Sequence, residues 1–197
     1  MARQGTIQRK TAETDIVLDI DLDGAGSADV HSGIPFLDHM LTLFAAHGFF
    51  NLRLRAEGDL VVDAHHTTED IGICLGRALL QALGDKAGIR RYGLAVCPMD
   101  ETLAEVAIDV SGRGFLVFQV PEGALSGKVG DFDVELVQDF FQAVAGRAHL
   151  TVHIQVRYGR SSHHIVEAIF KAFGRALDAA TQLEPRATGV LSTKGVL

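Results

Sequence analysis

The sequence predicts an α+β protein built as a tandem internal repeat, each half a small, mostly antiparallel sheet with two helices packed on one face. Three observations predict it. The chain carries His-His-x-x-Glu twice, at His65-His66 and at His163-His164. Both copies run into the same helix-like ending, Gly76-Arg77-Ala78-Leu79 and Gly174-Arg175-Ala176-Leu177. The flanking segments switch between a strand-type and a helix-type apolar period in the same order in each half.

The repeat extends well beyond the histidines. With the His pairs superposed, Glu69 falls on Glu167, Gly76 on Gly174, Arg77 on Arg175 and Ala82 on Ala180. Upstream, with two residues fewer in the second connecting loop, Phe36-Leu37-Asp38-His39-Met40-Leu41 falls on Leu136-Val137-Gln138-Asp139-Phe140-Phe141. Further back, Glu13-Thr14 meets Glu101-Thr102, and Ile20-Asp21-Leu22 meets Ile108-Asp109-Val110. Two copies of so long a period predict one pseudo-twofold domain rather than a solenoid. Its halves are about 1–92 and 93–184, followed by an irregular, Gly/Pro/Ser-containing tail over 185–197.

Each element follows from local pattern. Ile16 to Leu22 and Leu103 to Val110 alternate apolar with polar residues and end in Gly-bearing turns, as strands do. Phe36 to Ala46 places Phe36, Leu37, Met40, Leu41 and Phe44 on one helical face, with Gly48 as the stop. Leu136, Val137, Phe140, Phe141 and Val144 form the counterpart. A strand follows in each half, with Leu52, Leu54 and Ala56 alternating in the first and Val152, Ile154 and Val156 in the second. The second helix of each half begins at its His pair, with Asp63 and Ser162 as N-caps. The order in each half is thus roughly strand, strand, helix, strand, helix.

At 197 residues, with 47% hydrophobic and 22% charged residues, the chain has ample core material for one domain. A net charge of -7 argues against general binding to nucleic acid or a membrane surface, and leaves any anionic substrate dependent on local cations. Cys74 and Cys97 fit no metal-knuckle or disulfide spacing and read as reduced core thiols. Met1-Ala2-Arg3-Gln4-Gly5 opens no apolar signal region, and no run approaches membrane-spanning length, so a cytoplasmic protein is expected.

The doubled motif points to metal. On a helix, residues four apart share a face, whereas neighbours point about 100° apart. His65 with Glu69, and His163 with Glu167, can therefore each grip one ion, while His66 and His164 point elsewhere. The simplest arrangement splits each His pair between two metals or between two chains. Nitrogen and carboxylate donors without thiolate suit Mn, Fe, Zn or Co. A lone helical His is ordinarily no ligand; the same pattern twice, at matched repeat positions, is another matter. On spacing alone His39 reads equally as core residue or ligand. His31, His149 and His153 have no patterned partner and read as surface or sheet residues, His153 as the structural one. Arg77 and Arg175 are symmetric, which favours a structural role.

Gly33-Ile34-Pro35-Phe36-Leu37-Asp38-His39-Met40-Leu41, the two His-His motifs with their following residues, and Ser192-Thr193-Lys194-Gly195 together closely resemble the imidazoleglycerol-phosphate dehydratase family from about Arg9 to the C-terminus. The resemblance implies two four-stranded sheets with packed helices, assembled into a hollow 24-subunit homo-oligomer with active sites at subunit interfaces. It implies a lyase of histidine biosynthesis that converts D-erythro-imidazole glycerol phosphate to imidazole acetol phosphate and water. Two Mn2+ ions per active site would carry the ring as an imidazolate, which expels the neighbouring hydroxyl. By the family pattern His39, His65, His66, Glu69, His163, His164 and Glu167 are metal ligands. Arg91, Arg113, Lys171, Ser192, Thr193 and Lys194 hold the substrate, chiefly its phosphate, with Glu13, His47, His39 and His65 as further contacts.

Asp139 stands where family members commonly carry a ligand His, and the internal repeat independently matches it to His39. It ligates through oxygen, or water takes that place. A carboxylate must act as general acid/base. Glu167 ranks first because its motif sets it beside the ring site; Glu13 is the alternative, and Glu69 is the remaining acid of the set. Without the resemblance Glu13 reads as an exposed strand-edge charge. Lys171 lies four residues after Glu167, and its repeat counterpart is Ile73, so the symmetry breaks where a phosphate needs a cation. The rival functions are a binuclear metallohydrolase and a non-catalytic metal-binding protein. The former favours bridging carboxylates over His-rich sites, and the latter has no use for Arg91, Arg113 and the Ser192-Lys194 tail.

Overall fold

The computed structural model describes residues 2–195 and 197. The first half runs β1 (Gln4–Lys10), β2 (Thr14–Asp21), β3 (Ala28–His31), α1 (Pro35–Gly48), β4 (Asn51–Gly58) and α2 (His65–Leu83). The second runs β5 (Tyr92–Met99), β6 (Thr102–Asp109), β7 (Phe115–Gln119), a short hairpin of β8 (Lys128–Val129) and β9 (Phe132–Asp133), α3 (Leu136–Ala148), β10 (Thr151–Tyr158) and α4 (Ser162–Thr181). Two four-stranded sheets result, ordered β1-β2-β4-β3 and β5-β6-β10-β7. Three strands of each are antiparallel, and the short β3 and β7 add on in parallel at one edge.

Ahead of its first helix each half therefore has three strands of its four-stranded sheet, the second half adding the short β8–β9 hairpin, where the sequence pattern indicated two. The reason lies in β1, β3 and β7. Only Gly5 of β1 is buried, and β3 alternates half-buried with exposed positions, so neither carries the apolar signal of an inner strand. The expected N-caps sit one residue off. Ser161 caps α4, its Oγ accepting from His164 N at 3.4 Å, and Ala64 precedes α2. Asp63 still serves the first turn from further back, its Oδ1 accepting from His65 N at 2.8 Å. The left-handed residue that ends α1 is Phe49 (φ 57°), not Gly48.

Gly48 has another use, seen in the way the helices pair. α1 packs on α4 and α2 on α3, so each helix pair takes one member from each half. A Cβ on Gly48 would meet the Phe50 ring at 2.3 Å and Gly174 O at 2.9 Å. The crossing of α1 and α4 is thus close enough to demand glycine from both helices. The helices meet between the sheets, α2 covering β1 and β2, and α4 covering β5 and β6. They are buried around much of their circumference, as a middle layer must be. Stacked aromatics tie the halves together: Phe44 of α1 lies 5.6 Å from Phe173 of α4, which lies 5.0 Å from Phe141 of α3.

Cys74 and Cys97 are buried and unpaired. Burial pushes both thiols up, Cys74 to about 11, so neither is a thiolate at neutral pH. Among the described residues no helix is long and apolar enough to cross a membrane.

Candidate active site

The cross-pairing of helices builds the most concentrated donor cluster. α1 brings His39 to the first turns of α4, where His163 and Glu167 share a face, and one donor atom from each of the three lies within 4.8 Å of the others. Glu167 Oε2 is 3.3 Å from His163 Nε2 and 4.0 Å from His39 Nε2. Phe36 braces the His163 ring edge-on at 5.3 Å. Glu167 is only 7% exposed, and its other oxygen, Oε1, accepts from Lys171 Nζ at 2.6 Å. Burial pushes the Glu167 carboxyl up, but the Lys171 hydrogen bond and charge, with His39 and His163, outweigh it and hold the group below its ordinary range. Two imidazoles and an ionised carboxylate oxygen turned toward one point suit a divalent cation of borderline hardness.

The repeat makes a second, looser version. Asp139 of α3 faces His65 of α2, with Oδ2 3.7 Å from Nδ1. Glu69 does not join them at cluster distance; it lies exposed in a groove with Ile73, Gln142 and Arg147. The two halves therefore present equivalent residues with unequal gathering.

The second histidine of each pair turns away, its ring nearly perpendicular to its neighbour's, at 79° for His65 and His66 and 87° for His163 and His164. His66 Nδ1 is 2.9 Å from Asp59 Oδ2, and its Nε2 is 3.9 Å from Glu13 Oε1. His164 Nδ1 is 2.7 Å from Glu101 Oε2. These hydrogen bonds raise both imidazoles above their usual range, and the His164 contact holds Glu101 at about 2. Sequence reasoning passed over Asp59 and Glu101 as site residues. Glu101 carried a signal, since the repeat alignment sets it on Glu13; Asp59 lies in a connection that differs between the halves and carried none.

A third group of expected residues assembles elsewhere. Arg91, Arg113, Ser192, Thr193 and Lys194 line a cavity of about 380 Å³ with Ser111 and Gly112. Arg91 is fixed by Asp109, through Nε at 2.7 Å and Nη2 at 3.2 Å, and donates from Nη1 to Leu191 O at 2.6 Å. It thereby pins the tail to the second sheet. The Arg113 guanidinium donates from Nη1 to Ser111 O at 3.4 Å, and neither it nor Lys194 has a carboxylate within 4.0 Å among the described residues. Cations beside hydroxyls suit a phosphate. Lys171 is not among them, being held by Glu167. His47 lies apart from both groups, beside Phe49, Leu94, Val96, Arg175 and Asp178. Burial, with the charges of Lys171 and Arg175, lowers its pKa. His153 projects from the exposed face of β10, against the structural reading of it.

The cavity and the cluster are far apart within one chain. Arg91 N bonds Ala180 O at 2.9 Å, near the end of α4 opposite Glu167. The two levels are separated by about 20 Å at the helical rise.

Comparison with known proteins bears on this arrangement. Residues 32–177 match the family model of imidazoleglycerol-phosphate dehydratase. A protein of that description from Syntrophobacter fumaroxidans is 59% identical over 195 residues, covering 99% of this chain and 98% of its own. Another, from Geobacter metallireducens, is 58% identical over the whole of both chains. Among solved structures, imidazoleglycerol-phosphate dehydratase from Staphylococcus aureus is 44% identical with a TM-score of 0.82, covering 92% of this chain and 99% of its own. The Pyrococcus furiosus enzyme, in complex with (S)-C348, is 38% identical with a TM-score of 0.83, covering 97% and 100%.

Proposed function

The chain belongs to the imidazoleglycerol-phosphate dehydratase family, and from that premise we propose that it dehydrates D-erythro-imidazole glycerol phosphate to imidazole acetol phosphate with two Mn2+ ions per active site, in the cytoplasm. The observation that carries the reading is the His39–His163–Glu167 cluster, which the family match covers in full. Bound cations would stabilise the deprotonated imidazole ring and so ease departure of the neighbouring hydroxyl. The chain's own residues do the rest. Lys171 keeps Glu167 ionised and fixes Oε1, leaving Oε2 beside the histidines to take or return a proton. Glu13, near His66 Nε2, is placed to serve the leaving hydroxyl. Asp139, whose Oδ2 is 3.7 Å from His65 Nδ1, would help hold a cation through oxygen. Arg113, Lys194 and Ser192 take the phosphate. Incubation with imidazole glycerol phosphate and Mn2+ tests this directly. Ketone formation with phosphate retained is the expected result; release of phosphate indicates a hydrolase and overturns it.

The same reading makes the protein a homo-oligomer, a 24-subunit particle, with each active site shared between subunits. Its support is the separation described above. Ring and phosphate ester of the substrate are joined by a three-carbon chain, roughly 7 Å at ordinary bond lengths, far short of the gap within one chain. On this reading the cluster of one subunit is served by the cation cavity of another. Co-assembly of Glu167→Gln and Arg113→Met subunits, each inactive alone, should restore about a quarter of the sites by random pairing. No recovery in a verified mixed particle overturns the shared site.

A further inference from the structure

We propose that Glu101 and Asp59 are positioning residues for His164 and His66, each accepting the proton of Nδ1 so that Nε2 is the ring nitrogen left bare for a cation. The inference rests on the metal-dependent reading above and adds to it the residues that set the direction of two ligands. The geometry carries it. Glu101 Oε2 lies 2.7 Å from His164 Nδ1, and Asp59 Oδ2 lies 2.9 Å from His66 Nδ1. His164 Nε2 has no hydrogen-bond partner among the described residues, and His66 Nε2 has only Glu13 at 3.9 Å. An ionised carboxylate accepts but cannot donate, so in the neutral ring, the form that binds a cation, the bonded nitrogen carries the hydrogen and the opposite one keeps its lone pair.

The same bond is built twice from unlike places. Glu101 stands in the β5–β6 turn, whereas Asp59 follows β4. The repeat counterpart of Glu101 is Glu13, which faces the other nitrogen of His66. Had the first half copied the second, Glu13 would hold Nδ1. Because Asp59 takes that task, Glu13 is released toward the bare side of the ring. Glu101 is anchored in turn, its Oε1 accepting from Ser161 N at 3.0 Å, so the carboxylate is fixed at both oxygens. That double anchoring makes Glu101→Gln informative. Its single amide oxygen is claimed by Ser161 N–H, which leaves the NH2 to donate to Nδ1 and moves the ring hydrogen onto Nε2.

The test is Mn2+ binding by the full-length, metal-stripped protein, with unbound Mn2+ counted from its six-line electron paramagnetic resonance signal. Glu101→Ala, Glu101→Gln and Asp59→Ala are each expected to weaken binding about 10- to 100-fold. Ser161→Ala, which loosens the start of α4 without touching the Glu101–His164 bond, should lower thermal stability and leave Mn2+ affinity within about threefold, as loss of one cap implies. If an alanine variant fails to assemble, Glu101→Gln, which keeps the side-chain volume, decides the matter. Wild-type affinity in Glu101→Gln overturns the proposal, as does an equal loss in Ser161→Ala. Failure of the wild-type protein to bind Mn2+ overturns the metal-dependent reading itself, and the two failures are thereby distinct.

Discussion

Glu167→Gln lowers turnover by about 10²- to 10⁴-fold, the usual contribution of a positioned acid/base group. Glutamine keeps the shape of the side chain, and its amide oxygen can still accept from Lys171 Nζ, now 2.6 Å from Oε1. What it cannot do is exchange a proton on the side turned toward His163 and His39. Most of the packing around this position is thus retained while the chemistry is removed. Steady-state turnover measured beside metal content by elemental analysis separates the outcomes. A metal-loaded variant with near-normal turnover rules out Glu167 as the acid/base and passes the role to Glu13. Loss of metal in step with turnover would make ligation the chief task of Glu167.

The helices and inner strands were legible because their apolar residues recur at the right period. Phe36 to Ala46 reads as a helix and lies within Pro35–Gly48, extending to the last residue that can stay helical before left-handed Phe49. The edge strands were not legible, since β1 buries only Gly5 and owes its conformation to pairing with β2. The repeat alignment matched His39 to Asp139, but equivalence does not say which helices touch. The exchange that sets His39 against His163 depends on close contact of backbones at Gly48 and Gly174, and that which sets Asp139 against His65 on the close approach of α3 at Gly72 and Gly76, a property of three dimensions. The divergence of adjacent histidines followed from helix geometry alone, and the rings stand nearly perpendicular. Lys171 had a nearer partner that went unnamed. Its spacing from Glu167 is that of an i, i+4 ion pair, yet the break in symmetry at Ile73 drew attention to the phosphate instead.

Lys171→Met in the metal-free protein should cost roughly 3 kcal/mol of stability at pH 7, the low end for breaking a buried pair from one side. The Lys171 side chain is 17% exposed and that of Glu167 10%, so little water is at hand to replace the lost partner. Methionine keeps much of the apolar stem and isolates the charge. The pH dependence follows from sign. In the wild-type protein the pair holds the Glu167 carboxyl below its ordinary value of 4.5, so its stabilisation is present above that value and is lost as pH falls through the lower folded one. Without Lys171 burial dominates and the folded carboxyl rises above its unfolded value. The variant's deficit against the wild type is then largest at neutral pH and shrinks as acid neutralises Glu167. Denaturant midpoints at pH 7 and near pH 5 measure the shrinkage. Adding Glu167→Gln should recover stability relative to Lys171→Met alone, because no unpaired charge remains buried. Equal midpoints for wild type and Lys171→Met, with a raised KM, would show that Lys171 is not spent on Glu167 and would return it to the phosphate. A deficit that fades in acid and is relieved by the second substitution places its work on the carboxylate.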